Sequence, residues 1–499
     1  MARVAGILMP ITSLPSPYGI GTIGKEAREF ADFLAEAGQK IWQILPAGPT
    51  SYGDSPYQSF STYAGNPYMI DLDTLVEEEL LDKAQLDAID WGYSNTEIDY
   101  EKIYNNRFTV LRKAYEVYVQ DYELDVFEEF KNENAYWLDD YALYMAVKKG
   151  FDMTAWNQWP DEDIKMRKAT AIKKYTKKYA EDIDFWKWVQ FKFYEQWFDF
   201  REYVNNLGIQ ILGDMPIYVA MDSADTWANP EVFWLDKENA PVCVAGCPPD
   251  YFSETGQLWG NPLYDWKYLK ETDYEWWFNR IAAASALYDI TRIDHFRAFD
   301  SYYAIPFPAE NAINGSWLEG PGIEFFNKMK ETLGEIPIVA EDLGDLTPGV
   351  YKLLEDCGYP GMKVLEFAFG DDMDNEYLPH NYTTNSVVYT GTHDNDTVMG
   401  WYNEAIEARP EEIAFAKEYC NMGEDEEFNW GIIRTAYASK SDYAVIQMQD
   451  ILGLGTEARI NIPSTLGGNW VWRIENGVLT KELAEKLYYL SDTYGRLED

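Results

Sequence analysis

The segment TRIDHFRAFD (291–300) places Arg292, Asp294, His295 and Arg297 within ten positions, directly after an apolar run of strand type. Only three histidines occur in the 499 residues, so one here draws attention. Arg292 and Asp294 are two residues apart, a spacing that keeps side chains on one face of a strand. A guanidinium beside a carboxylate favours its charged form. The pair therefore suits an ionised carboxylate held for nucleophilic attack. The plain alternative is a surface salt-bridge patch. His295 reads equally as a structural histidine and as a ligand contact.

Three further apolar runs end in acidic residues. IQILGDMPIYV (209–219) carries Asp214, IPIVAEDLG (336–344) carries Glu341 and Asp342, and SVVYTGTHD (386–394) carries His393 and Asp394. Each alone could be a helix cap. Converging on one rim, such like charges would cost stability, which active sites tolerate. Glycoside cleavage with retention needs one carboxylate as nucleophile and one carboxylic acid for the leaving oxygen, about 5–5.5 Å apart. Asp294 is the better nucleophile. Glu341 follows the apolar IPIVA, where partial burial and nearby negative charge favour the protonated form a general acid requires. Asp394 and His393 are then placed to grip sugar hydroxyls and stabilise an oxocarbenium-like transition state.

The elements that must position these residues are eight short apolar runs: VAGILMPI (4–11), KIWQILPAG (40–48), 209–219, YDITRIDHF (288–296), 336–344, MKVLEFAFG (362–370), 386–394 and YAVIQMQDIL (443–452). Helical patterns such as GKEAREFADFLAEAG (24–38), ending in glycine, lie between most of them. Near-continuous apolar strands alternating with helices imply a parallel sheet covered on both faces. Eight units imply an α/β fold of the (β/α)8 TIM-barrel type, with side chains from the C-terminal strand ends meeting at one site. The whole chain, 1–499, is expected to be one catalytic barrel. A mostly helical subdomain is expected over 73–200, and a loop-rich insertion, abundant in Pro, Gly and Trp, over 222–285 above the cleft. The basic run KMRKATAIKKYTKK (165–178) is expected to be a solvated helix face.

The net charge of −44 argues against nucleic acid and anionic membrane surfaces as partners, since both would be repelled. Aromatic content of 16% suits sugar faces and ordinary cores alike. Cys243, Cys247, Cys357 and Cys420 are too few for a disulfide scaffold, and the C-x3-C pair lacks further zinc ligands nearby. The N-terminal run, broken by Pro10, reads neither as a signal peptide nor as a membrane span, so a soluble, cytoplasmic protein is expected. GIGTIG (19–24) matches the dinucleotide fingerprint in form. Yet TSLPSPY separates it from the preceding strand, and the next strand ends without the acidic ribose ligand. Serine-nucleophile and phosphate-loop motifs are absent from the sequence.

Taken in order, PSPYGIGTIG, GDSPYQSFSTYAGNPYMIDL (53–72), GDMPIYVAMDSADTWANPE (213–231), PPDYFSETGQLWGNPLYDW (248–266), RIDHFR, AEDLG, GTHDN and ARINIPSTLGGNWVWR (458–473) resemble the 4-alpha-glucanotransferases of glycoside hydrolase family 77, the amylomaltases or disproportionating enzymes. The resemblance covers nearly the whole chain. It implies Asp294 as nucleophile, Glu341 as acid/base and Asp394 as transition-state stabiliser. It puts Arg292, His393 and Asp214 on the sugar next to the cleaved bond, and Asp250, Tyr251 and Trp259 on a loop over the cleft that binds acceptor and excludes water. It matches Tyr57 to a remote glucan-binding groove. The implied reaction transfers α-1,4-glucan segments between maltooligosaccharides, starch or glycogen, with cyclic glucans from intramolecular transfer and no cofactor or metal. Two rivals stay open at this level: an α-1,4-glucan hydrolase with the same carboxylates, and a non-catalytic glucan-binding protein, against which the intact acidic set speaks.

Overall fold

The computed structural model describes residues 3–51, 53–92, 94–121, 124–249, 253–344, 346–370 and 372–497. Each apolar run carries one strand of a parallel sheet: β1 (Val4–Leu8), β2 (Ile41–Gln43), β3 (Gln210–Pro216), β4 (Ile290–Asp294), β5 (Ile338–Ala340), β6 (Gly361–Val364), β7 (Ser386–Tyr389) and β8 (Tyr443–Gln447). Their order is β6-β7-β8-β1-β2-β3-β4-β5. Between β5 and β6 the amide of Ala340 donates to the carbonyl of Pro360 at 2.9 Å, which leaves the ring nearly closed. The architecture is a (β/α)8 barrel, as the run count predicts.

Strand alternation sorts the residues of each run. In β4, Ile290 joins the apolar cluster inside the ring with Leu212, Val339, Met362, Val387 and Val445. Ile293 faces outward, in a cluster with Met215, Trp277, Phe278 and Ile281. Arg292 and Asp294 share the inward face of Ile290, nearer the C-terminal rim. The β3–β4 register sets Leu212 opposite Ile290 and Asp214 opposite Arg292, so the acidic residue and the arginine stand at one level. At the other rim β1 pairs with β8, Val4 opposite Tyr443. There the buried Arg496 donates to the carbonyls of Val4, Tyr437, Ser439 and Ser441.

The long connection from β2 to β3 is largely helical. Its last helix, Ala180–Asn206, runs 27 residues and buries Trp186, Trp188, Phe193, Trp197 and Phe200. A helix apolar on several sides must be covered on several sides. This one packs against helix Ala135–Gly150 and against β3. In helix Ala169–Lys178, Ala171 and Tyr175 are buried while Lys173, Lys174, Lys177 and Lys178 are exposed, which is a solvated face.

The stretch 222–285 is more ordered than its composition implies. Strands Cys243–Cys247 and Gln257–Pro262 enter a four-stranded antiparallel sheet whose other members, Ser301–Pro306 and Ser316–Glu319, come from beyond β4. Helix Glu275–Leu287 lays Trp277, Phe278 and Ile281 on the outer face of the barrel. Among the described residues no helix is long and apolar enough to cross a membrane.

Candidate active site

Arg292 connects two carboxylates at the C-terminal rim. Its Nη1 donates to both oxygens of Asp214, at 2.8 and 2.7 Å, and its Nη2 lies 3.0 Å from Oδ1 of Asp294. Burial alone would lower the arginine's pKa; the charges of Asp214 and Asp294 outweigh it, and the guanidinium is held charged. Asp294 itself is pushed above the ordinary carboxylate range by burial, against the pull of Arg292, with Asp214 adding to the rise. The sequence reading gives the arginine the deciding role. In the structure the desolvation of a carboxyl sunk into the rim is the larger effect.

Glu341 follows β5, next to Asp294. Burial raises its pKa, and the neighbouring Asp294 charge raises it further, while Arg292 and two backbone amides work against the rise. Those amides belong to His295, donating to Oε2 at 2.7 Å, and Leu343, donating to Oε1 at 2.7 Å. His295 reaches this position through a left-handed backbone, φ 54°. The two carboxyls titrate as a pair. Asp294, against the guanidinium, loses its proton first, and Glu341 keeps one. That split is what a nucleophile and a general acid require.

Asp394 stands on the opposite side, after β7. Asn461 donates from Nδ2 to its Oδ1 at 2.6 Å, and Arg459 donates to its carbonyl at 2.6 Å. The amide of Asn461 donates to the carbonyl of His393 at 3.1 Å. The Asp394 side chain is 48% exposed against 29% for Asp294, so it faces the open cleft. His393 is buried beside it, Nε2 at 3.4 Å from Oδ1 of Asp394.

Tyr57 departs from its expected place. It sits in the catalytic cluster, not at a remote groove. Its hydroxyl donates to Oδ2 of Asp214 at 2.7 Å and lies 3.3 Å from Nδ1 of His393, and the two rings stack at 4.9 Å. Its partners are remote in sequence, so spacing could not place it. A separate cavity of about 1340 Å³ opens beside the helical insertion, walled by Tyr68, Tyr100, Tyr104, Phe108 and Trp186, and Trp259 borders it. Trp259 also meets the ring of the half-buried His295 edge-on, centroids 4.8 Å apart. Burial first, then Arg297, lower the pKa of His295 to about 3, so the imidazole is neutral. Asp250 and Tyr251 lie outside the described residues.

Asp342 holds two strands together. Its Oδ1 accepts the amide of Met362 at 2.6 Å, which ties β5 to β6. The glycines of GIGTIG serve close packing. A Cβ on Gly21 would lie 1.9 Å from the carbonyl of Ile11, and one on Gly24 would meet the carboxylate of Asp71 at 2.3 Å. A carboxylate already faces this helix start, where a phosphate would otherwise sit. The four cysteines are free. Sequence reasoning assigned no role to Asn461 or Arg459. Their segment, ARINIPSTLGG, was visible only as part of a resemblance, because the contact to Asp394 spans 67 residues.

A (β/α)8 barrel that gathers Asp294, Glu341 and Asp394 around an Arg–Asp pair has the build of an enzyme acting on glycosidic bonds. The model of glycoside hydrolase family 77, 4-alpha-glucanotransferase, matches residues 9–480. A 4-alpha-glucanotransferase of Clostridium butyricum is 51% identical over 98% of this chain and 100% of its own. One from Thermus thermophilus is 44% identical over 100% of both chains. The solved amylomaltase from Streptococcus agalactiae, in complex with acarbose, superposes with a TM-score of 0.96 at 42% identity, covering 99% of each chain. The chain belongs to the 4-alpha-glucanotransferases of glycoside hydrolase family 77. Its activity is glucan transfer.

Proposed function

We propose that the chain disproportionates α-1,4-glucans by a double displacement in which Asp294 is the nucleophile, Glu341 the acid and then the base, and Asp394 the transition-state stabiliser. Asp294 attacks the anomeric carbon while Glu341 protonates the departing 4-oxygen. The 4-hydroxyl of a second glucan, deprotonated by Glu341, then takes the glycosyl chain from Asp294. Arg292, Asp214 and His393 hold the sugar beside the cleaved bond. Trp259 lies on the acceptor side and excludes water. The observation that carries this reading is the unequal setting of the two adjacent carboxyls: Asp294 touches a guanidinium that Asp214 holds in place, while Glu341 is buried beside the Asp294 charge.

Donors and acceptors in this reading are maltooligosaccharides, starch and glycogen, with cyclic glucans where the acceptor is the donor's own end. The acarbose bound by the S. agalactiae amylomaltase supports an α-glucan ligand. A cytoplasmic place of work is part of the proposal, supported by four free cysteines. The test is incubation with maltotriose, following free glucose and total reducing ends together. Longer chains with constant reducing ends support transfer. Reducing ends rising in step with glucose, with no longer chains, would make the protein a hydrolase.

A further inference from the structure

The hydrogen-bond chain behind the sugar site contains one proton whose position decides the chemistry of its far end. Arg292 saturates one side of Asp214, and the Tyr57 hydroxyl lies 2.7 Å from Asp214 Oδ2. The same hydroxyl lies 3.3 Å from His393 Nδ1, and His393 Nε2 faces Asp394. We propose that Tyr57 is a positioning residue that fixes a proton of His393 on Nδ1, so that whenever the ring holds a single proton Nε2 meets the sugar as a hydrogen-bond acceptor. The proposal rests on the reading of His393 as a sugar contact.

A phenol has one proton to give. Asp214 is a buried carboxylate that accepts from Arg292, and a short bond to an ionised acceptor is the stronger of the two on offer. If the Tyr57 proton turned toward His393 instead, the phenol oxygen and Asp214 Oδ2 would face each other at 2.7 Å as two acceptors. The proton therefore stays on the Asp214 side, and the Tyr57 oxygen offers only lone pairs to His393. Nδ1 must then carry a hydrogen. Which ring nitrogen is protonated is set by the bond the other makes.

The consequence appears at Nε2. In the neutral ring it is bare and sits 3.4 Å from Asp394 Oδ1, which is also an acceptor. Two adjacent acceptors suit a ligand with two adjacent donors, and a vicinal diol of a glucose ring supplies them. With the other tautomer, Nε2–H would donate to Asp394 Oδ1, and the imidazole would offer the ligand no acceptor. The ring stack of Tyr57 on His393, tilted by 20°, holds the imidazole plane in the orientation this chain needs. Phenylalanine at position 57 would keep that stack and lose only the hydroxyl.

The test uses the full chain with its histidine rings labelled with nitrogen-15, at mildly alkaline pH. Only three histidines contribute, and the His393 signals are identified by their loss in His393→Gln. Ring-nitrogen shifts and their couplings to ring protons distinguish Nδ1–H from Nε2–H. The expected result is the Nδ1–H form for His393 in the unchanged protein. In Tyr57→Phe a shift toward Nε2–H is expected, with the His295 and His380 signals in place and kcat/KM for maltotriose transfer down on the order of tenfold or more. An Nε2–H form in the unchanged protein overturns the proposal without any variant. So does a Tyr57→Phe protein that keeps the Nδ1–H form, or one that switches tautomer and transfers at the original rate. The tautomer is read in free protein, so its failure is distinct from failure of the transferase reading, which shows in the products.

Discussion

Replacing Glu341 by glutamine separates its chemical role from its structural one. Both carboxylate oxygens accept a backbone amide at 2.7 Å, one from His295 and one from Leu343. Glutamine keeps one acceptor oxygen and turns an NH2 toward the other amide. One buried donor loses its partner, at about 1–3 kcal/mol. The melting temperature is therefore expected to fall by a few degrees while the fold persists. The chemical loss is larger. General acid catalysis contributes roughly 10²- to 10⁴-fold, and maltotriose, whose leaving oxygen must be protonated, should slow by about that much. An α-maltosyl fluoride needs no proton on its leaving group. With it, Glu341→Gln should release a burst of fluoride equal to the enzyme and then stall, because the second step lacks its base. Fluoride release and melting temperature are followed side by side. If maltosyl fluoride shows no burst and is cut as slowly as maltotriose, with the melting temperature unchanged, Glu341 is not the acid.

Asp294→Asn should abolish both the burst and transfer, with little change in melting temperature, since the Asp294 side chain remains partly open to solvent. Both carboxyls of the pair are raised, so kcat/KM should be bell-shaped in pH, with the acid limb above the ordinary carboxylate range; a limb at the usual aspartate value would contradict the burial of Asp294. Asp450 is fully buried and its pKa is raised to about 7 by burial, although Thr390 and the amide of Val398 bond to it. A pKa raised on folding contributes stability below the unfolded value near 4 that is lost as pH rises through 7. Melting temperatures measured from pH 5 to pH 9 should accordingly decline, and Asp450→Asn should flatten the part of that decline near pH 7. Trp259→Ala removes the ring that meets His295 and borders the large cavity, and it should raise the share of reducing ends released per transfer event.

The barrel was legible because its strands are buried on both faces. VAGIL and SVVY cannot be mistaken for half-exposed strands, since every residue of each is buried. The catalytic acids were legible for the same reason, since Asp214, Asp294, Glu341 and Asp394 stand where those runs stop. What stayed hidden depends on distance along the chain. The antiparallel sheet draws on QLWGNP, whose leading residues are half-exposed and of mixed polarity, so its pairing partners, not its pattern, make it a strand. The desolvation of Asp294 depends on how deep the rim is, and two-residue spacing to Arg292 does not reveal depth. Tyr57 lies in a polar loop with no periodicity, and only the fold shows that its hydroxyl reaches Asp214 from 157 residues away.

The pairing of β1 with β8 has a consequence for how the protein comes into being. A ribosome makes Val4 long before Tyr443, yet these two residues stand opposite each other in the ring. Until β8 emerges, β1 presents an open, fully apolar edge, and the half-barrel holding Asp214, Asp294 and Glu341 has no neighbour to hold its curvature. The carboxyls owe their raised proton affinities to burial, and an open half-barrel wets them. A nascent chain stopped short of β8 should thus carry Asp214, Asp294, Glu341 and Asp394 and still lack the environment that makes them differ. The environment of the acids is complete only once the ring closes, and beside that seam the buried Arg496 donates to the carbonyl of Val4.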